Sequence, residues 1–179
     1  MPSPKGRTVP GFRVVRGGTA PWQGMIRAGR LVARCALGGH GISRAKREGD
    51  GATPAGTFRL VAAYYRADRM PRPRTALPLL PLRPDLGWCD DPADRNYNRS
   101  VELPYPGRHE RMWREDHLYD IVVVIDFNLN PARPGGGSAI FLHLAKPGFA
   151  ATEGCVAVDL PTMRRLLSMA GPETAIAIG

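Results

Sequence analysis

Glycine and proline interrupt this chain so often that a bundle of long helices is disfavoured. The 179 residues include 21 glycines and 18 prolines, about 22% of the chain against roughly 12% in an average protein. Both residue types weaken the interiors of helices and favour turns. Because 43% of the residues are hydrophobic, a core can still form. The sequence therefore predicts one loop-rich domain that is mainly β, of the α+β class.

Short runs in which apolar and β-branched residues alternate with polar ones predict most of the elements as strands. Residues 1–11 are predicted as an N-terminal arm and residues 12–179 as the domain. The run 119–127, "YDIVVVIDF", is the most apolar and is expected inside the sheet. The predicted strands lie at 12–18, on both sides of Ala28–Gly29 within 25–38, and at 57–66, 119–127, 138–145 and 174–179. Residues 39–56 are predicted as a loop, and the proline-rich residues 71–108 as an extended excursion.

One helix is predicted near the C-terminus, in "DLPTMRRLLSMAG". Asp159 is a suitable N-cap and Pro161 lies in the first turn, where its missing N–H does no harm. Gly171 and Pro172 predict the end of the helix. The residues predicted to share its apolar face are Leu160, Met163, Leu166, Leu167 and Ala170.

The net charge of +9 leaves two interpretations open. It indicates either an anionic partner or simple solubility in an arginine-rich proteome. No zinc-finger spacing, basic amphipathic helix or ribonucleoprotein motif is present, so nucleic acid is not expected. Cys35, Cys89 and Cys155 are far apart, which disfavours a structural zinc site or a disulfide framework. No apolar run is long enough to span a membrane, and no metal, organic cofactor or oligomer is expected.

The segment "TEGCVAVD" raises the central question, because Cys155 follows a glycine and lies twelve positions after His143. A cysteine nucleophile needs a nearby imidazole or positive potential, and backbone N–H groups for the oxyanion. The preceding glycine permits a sharp turn that opens the sulfur to substrate. The alternative is a buried thiol beside a hydrogen-bonded histidine at a strand end, since cysteine is among the most buried residues.

Three other motifs carry weaker signals. "GDGATPAGT" contains half of a phosphate-binding loop, but it lacks the lysine and leads into a strand, so it is rejected as a nucleotide site. "CDDPADRNYN" lacks the calcium-loop glycine and is better explained as a solvated turn. "HERMWRED" is either an amphipathic turn with Trp113 buried or part of the wall of a substrate groove.

Three motifs in order, "GDGATPAGTF", a strand ending in "IFLH", and "TEGCVAV" followed by a helix, resemble the L,D-transpeptidase catalytic domain family (YkuD-like). The resemblance spans about residues 12–179. Glu153 stands where the family box usually has histidine, and the interval from His143 to Cys155 is short. With "GWCDDPADRNYN" and "HERMWRED", the chain resembles a divergent subgroup of short, single-domain members associated with alpha- and betaproteobacteria.

The resemblance implies a mixed β-sandwich with one short helix after the cysteine. By position, Cys155 would be the nucleophile, His143 the base, and the carbonyl of Leu144 the group that orients the imidazole. The N–H groups of Gly154 and Cys155 would hold the oxyanion, and Thr152 matches the hydroxyl of the box. Glu153 and Val156 complete the supporting set. The residues expected along the substrate groove are Arg44, Tyr97, Asn98, His109 and Trp113.

The implied reaction is acyl transfer between peptidoglycan stem peptides through a thioester on Cys155. Some members of the resembled subgroup form 1,3-type crosslinks through L-alanine instead of the usual 3,3-type, so either product is implied. Water as the acceptor would make the same site a carboxypeptidase or endopeptidase. A non-catalytic, basic cell-wall-binding module is the remaining alternative. Crosslinking implies the periplasm, although "MPSPKGRTVPGF" shows no export signal.

Overall fold

A computed structural model describes residues 11–179 as strands with one helix. The strands are β1 (Gly11–Arg16), β2 (Gln23–Ala28), β3 (Leu31–Ala36), β4 (Ile42–Ser43), β5 (Thr53–Pro54), β6 (Gly56–Tyr65), β7 (Leu79–Pro81), β8 (Leu86–Cys89), β9 (Ser100–Glu102), β10 (His109–Arg111), β11 (Ile121–Ile125), β12 (Phe141–Leu144), β13 (Val156–Val158) and β14 (Ala175–Ile178). Helix α1 spans Leu160–Met169, and a short 3₁₀ segment spans Pro147–Phe149. The mainly β class with one short helix after the cysteine is confirmed.

Nine of these strands form one mixed sheet in the order β11-β12-β13-β3-β2-β1-β14-β6-β7. Because β11 also pairs with β6, the order closes on itself and most of the strands enclose a common interior. The expected position of the run 119–127 inside the sheet is confirmed, since β11 has a partner on each side. Gly11 already belongs to β1, and the rest of the predicted N-terminal arm lies outside the described residues.

Strand β11 is buried on both faces, and its two faces meet different layers. Ile121, Val123 and Ile125 join the main core with the apolar face of α1. Val122 and Val124 point the opposite way and pack with a second cluster that includes Trp88, Met112, Tyr119 and Phe141. An unbroken apolar run is what a strand needs when both of its faces are covered.

Residues 71–108 are more regular than predicted. Strands β8 and β9 pair with each other, and β8 also pairs with β10, which gives a separate three-stranded sheet. Strand β7 lies parallel to the end of β6. Parts of the predicted extended excursion are therefore paired as strands, because proline at the borders of short strands does not prevent pairing inside them.

The predicted loop 39–56 also contains a short element, since β4 and β5 pair in parallel. Its path is held by side chains of the "GDGATP" motif. The Asp50 carboxylate accepts the N–H of Ala52 at 2.9 Å, and the Thr53 hydroxyl accepts the N–H of Gly38 at 2.8 Å. The motif therefore fixes a backbone corner and does not form a phosphate-binding loop.

Helix α1 agrees with its sequence prediction. The Asp159 side chain accepts the N–H of Thr162 at 2.8 Å, which makes it the N-cap, and Pro161 lies in the first turn. Met163, Leu166 and Leu167 are buried in the main core. Within the described residues, no helix is long and apolar enough to cross a membrane.

Candidate active site

The register between β12 and β13 brings the histidine and the cysteine to one face of the sheet. These strands are parallel, with Leu142 opposite Val156 and His143 opposite Ala157. Side chains alternate along a strand, so His143 points away from the face of Leu142. Cys155 precedes Val156 by one residue and therefore shares the face of His143. Both side chains reach the same cleft.

The Cys155 thiol is nearly covered, with 7% of the residue exposed. Its Sγ atom donates to the carbonyl of Ala139 at 3.2 Å and accepts the N–H of Phe141 at 3.3 Å. Burial raises the pKa of the thiol to about 12, and the nearby Glu110 carboxylate acts in the same direction. The resting group is therefore a protonated thiol and not a thiolate.

The His143 imidazole is also buried and is neutral in the resting protein. Burial lowers its pKa to about 4. Its Nδ1 atom lies 2.8 Å from the carbonyl oxygen of Leu144, which is the residue that the sequence resemblance indicated. Because a carbonyl oxygen only accepts, Nδ1 carries the proton and Nε2 is the free acceptor. The ring of Tyr119 packs edge-on against the imidazole, with 5.2 Å between the centroids.

The turn before the cysteine needs glycine for steric reasons. Gly154 has φ +139°, and a Cβ atom there would lie 2.8 Å from the carbonyl oxygen of Ala52. The "GDGATP" corner is thus packed directly against the cysteine turn. The Thr152 hydroxyl braces this turn, because it accepts the N–H of Gly154 at 3.1 Å and donates to the carbonyl of Cys155 at 2.7 Å. In this conformation the N–H of Gly154 is already engaged.

The cleft has a volume of about 760 Å³ and carries charges of both signs. Its cations are Lys46, Arg108, Arg114 and Lys146, and its carboxylates are Glu48, Asp90, Glu110 and Glu153. Asp90 is paired with Arg108. The equal numbers of cationic and anionic side chains differ from the +9 charge of the whole chain.

Of three supporting residues from the sequence, two line the cleft and one does not. Thr152 and Glu153 line it, and Glu153 is exposed while Thr152 is buried. Val156 lies on the other face of its strand, in the main core.

None of the five residues expected along the substrate groove lines this cleft. Arg44 lines another depression beside Arg13 and the C-terminal strand. His109 is half-buried and packs edge-on against Tyr105. Trp113 is half-buried instead of buried, and the guanidinium of Arg66 lies 3.6 Å from its ring centroid.

The other two expected groove residues support the cleft from behind. Tyr97 is buried, and its hydroxyl donates to Glu48 and accepts the N–H of Gly137. Asn98 is 1% exposed, and its Oδ1 atom accepts the N–H of Ala139 at 3.0 Å. Since the carbonyl of Ala139 accepts the Cys155 thiol, Asn98 positions the segment that the thiol contacts.

Sequence reasoning did not name Asp90, Glu110 or Arg114 individually, although each lines the cleft and lies within a motif that it had singled out. Glu110 and Arg114 belong to "HERMWRED", and Asp90 belongs to "CDDPADRNYN". In β10, Glu110 alternates with His109 and Arg111, so it points to the opposite side from them. Treating His109–Arg111 as a strand would have shown that Glu110 and His109 face opposite sides.

The comparison with protein families gives one match. The model of the L,D-transpeptidase catalytic domain, YkuD, matches residues 12–178, nearly the whole chain. Neither the curated proteins nor the solved structures gave a match.

Proposed function

The chain belongs to the L,D-transpeptidase catalytic domain family, and we propose that it is a cysteine acyltransferase that crosslinks peptidoglycan stem peptides through a thioester on Cys155. The family acts on peptidoglycan, generally outside the cytoplasm and generally through a cysteine. The crosslink, the residues that perform the reaction and a periplasmic location for this chain are parts of the proposal.

The observation that carries the proposal is that a thiol and a neutral imidazole line the same cleft. Cys155 and His143 both line it. The Leu144 carbonyl engages Nδ1, so Nε2 is left to accept the proton of the thiol. A base with a free nitrogen beside a nucleophile is the arrangement that covalent acyl transfer requires.

In the first step, the Cys155 thiol rotates away from the Ala139 carbonyl and transfers its proton to His143 as the sulfur attacks. Because the thiol pKa is raised to about 12 and the imidazole pKa is lowered to about 4, the ion pair is not populated at rest. Proton transfer therefore accompanies attack on the carbonyl of the L-residue. His143 then protonates the leaving amine of the D-residue, and a thioester remains.

In the second step, an amine of another stem peptide attacks the thioester carbonyl. The new amide forms, the C–S bond breaks, and Cys155 regains a proton. The N–H of Cys155 contributes to the oxyanion site. The N–H of Gly154 can donate to the oxyanion only after its hydrogen bond to the Thr152 hydroxyl breaks.

The cleft's charges support a stem peptide as the ligand, since stem peptides carry several carboxylates and, in the acceptor, a free amine. We assign the product as a 1,3-type crosslink between L-alanine and diaminopimelate, with the 3,3-type as the alternative product. This assignment rests on the resemblance of "GWCDDPADRNYN" and "HERMWRED" to the divergent subgroup.

The test is incubation of the purified protein with disaccharide tri-, tetra- and pentapeptides, followed by mass spectrometry of the products. We expect crosslinked dimers with an altered donor stem and a transient adduct on Cys155. The Cys155→Ala variant removes the nucleophile and should lower turnover by at least about 10⁴-fold. Cys35→Ala is the matched control, because Cys35 is a buried thiol of the core outside the cleft.

Each other outcome of this experiment identifies one of the alternative functions. Shortened monomers without dimers indicate a hydrolase at the same site. Unchanged stems, with no adduct from a carbapenem, would leave only the non-catalytic wall-binding module. The mass of the dimer fragments distinguishes 1,3- from 3,3-type crosslinks.

A further inference from the structure

We propose that Glu110 is the base that removes a proton from the acceptor ammonium in the second half of the reaction. This inference rests on the proposed function, because it assigns a residue to its second step. A base is needed because the acceptor is an amine. An alkyl ammonium of the lysine type has a pKa near 10.4, so the neutral amine that attacks the thioester is scarce at neutral pH.

Glu110 lies where such a base is required. It is the central residue of β10 and faces Trp88 across the pair with β8. The hydroxyl of Tyr119 donates to its Oε1 atom at 2.5 Å, and the Tyr119 ring packs against His143. Glu110 is thus one side chain away from the imidazole, and it lines the cleft with Cys155.

One of its oxygens is free for a ligand. Oε1 receives the Tyr119 hydroxyl and lies 3.8 Å from the Arg114 guanidinium. Oε2 makes no hydrogen bond or ion pair with any residue of the described range 11–179. The side chain keeps 28% of its surface exposed, so an incoming ammonium has an acceptor to bind.

The other carboxylates of the cleft are less suited. Asp90 is paired with Arg108. Glu48 holds the hydroxyls of Tyr97 and Ser138. Glu153 is exposed and makes no hydrogen bond or ion pair within the described part of the chain. Among these carboxylates, only Glu110 contacts a residue that itself packs against the imidazole.

The electrostatic surroundings of Glu110 favour proton uptake. Burial raises the pKa of its carboxyl group, and the charges of Asp90 and Asp116 act in the same direction. The Tyr119 hydrogen bond and the charge of Arg114 oppose this increase. A carboxylate with a raised pKa is a better base near neutral pH.

The proton balance of the step is complete. The acceptor ammonium gives one proton to Glu110 and becomes a neutral amine, which forms the C–N bond with the thioester carbonyl. The second proton leaves the nitrogen through His143 and reaches the departing sulfur of Cys155. The amide retains the third hydrogen, and Glu110 returns its proton to solvent.

The experiment separates acylation from transfer in the intact protein. Wild type, Glu110→Gln and the matched control Glu115→Gln are compared; Glu115 is an exposed carboxylate of the same segment. Acylation is followed as release of the D-residue and as the mass of the Cys155 adduct. Transfer is measured with a stem-peptide amine and with hydroxylamine, a weakly basic nucleophile that is neutral at pH 7.

We expect Glu110→Gln to acylate at or slightly above the wild-type rate, because loss of its charge also lowers the Cys155 pKa, and to transfer to the stem amine about 10²–10⁴-fold more slowly. Transfer to hydroxylamine should remain near wild type. Raising the pH should restore stem transfer by about tenfold per pH unit until the amine is neutral. Glu115→Gln should match wild type throughout.

A second variant tests the position of Glu110 without removing it. Tyr119→Phe keeps the ring against His143 but deletes the hydrogen bond that lowers the Glu110 pKa. The acid limb of the transfer profile should therefore move to higher pH, while the profile of acylation stays in place.

The failures are distinguishable. Equal losses with the stem amine and hydroxylamine, or an equal loss of acylation, would show a structural role and overturn the inference. Wild-type transfer rates in Glu110→Gln would overturn it as well, with the proposed function intact. A wild-type protein that forms no thioester and no dimer overturns the proposed function together with this inference.

Discussion

The two faces of β12 are equally buried but have different chemistry. Leu142 and Leu144 point into the main core and are 1% and 7% exposed, whereas His143 points to the cleft side and is 5% exposed. Leu142 makes only apolar packing contacts in the core. His143 has a carbonyl on one nitrogen and the cleft before it. The depth of burial therefore does not distinguish structural from reactive side chains. Access to the cleft distinguishes them.

The cleft face uses burial to keep its groups uncharged. Desolvation raises the pKa of Cys155 and lowers that of His143, so both groups are neutral at rest. A charged pair there would need compensation from other charges or hydrogen bonds. On the core face, burial only adds packing energy. Substitutions on the two faces should consequently affect different measurements.

The largest expected effect is on the cleft face. His143→Gln keeps a side chain that can donate to the Leu144 carbonyl but removes the acceptor for the thiol proton. Acylation of Cys155 should slow by about 10²–10⁴-fold, measured by the mass of the adduct over time. The unfolding midpoint at pH 7 should change little. Rates within threefold of wild type would show that His143 is not the base.

On the core face, the same strand should respond in stability instead of rate. Leu142→Ala deletes a side chain that is 1% exposed in the main core. It should cost about 2–5 kcal/mol of unfolding free energy, measured by urea denaturation. The acylation rate per folded molecule should stay near wild type. A large loss of rate with unchanged stability would contradict the division between the two faces.

The pH dependence of stability sharpens the comparison further. His143 has a folded pKa of about 4 and an unfolded pKa of about 6.5, so the unfolded state binds the proton first as the pH falls. Its contribution is fully present above pH 6.5 and decreases as the pH falls to about 4, by roughly 3 kcal/mol. The difference in unfolding free energy between wild type and His143→Gln should show this slope. A flat difference would indicate that the imidazole is solvated.

The sequence predicted the core face more completely than the cleft. The alternation in β2 and β3, the apolar run of β11, and the N-cap at Asp159 are local signals, and the structure agrees with them. The turn at Gly154 was also readable, because a glycine before a cysteine permits a sharp turn. Its contact with Ala52 joins two motifs about 100 positions apart, which no local pattern reveals.

Glu110 was missed in the wall of the cleft because its position is set by non-local pairing. Glu110 reaches the cleft only because β10 pairs with β8, and both strands lie in or beside a proline-rich segment that gave no clear strand signal. Asn98 and Tyr97 were chosen as ligand contacts, but their polar groups bond to Ala139 and Glu48 of the protein itself. A polar residue in a loop therefore gives no indication from sequence alone of whether it faces ligand or backbone.

The smallest expected effect concerns the brace between the two motifs. Thr152→Val keeps the shape of the side chain but leaves the N–H of Gly154 and the carbonyl of Cys155 without their hydroxyl partner. The loss should be about 1–3 kcal/mol in urea denaturation, and Thr152→Ser should recover most of it. In the valine variant the N–H of Gly154 no longer bonds to the Thr152 hydroxyl and is free to donate to the oxyanion. The acylation rate should therefore be partly preserved. If the rate falls as far as in His143→Gln, the hydroxyl has a role in the chemistry and the brace account is wrong.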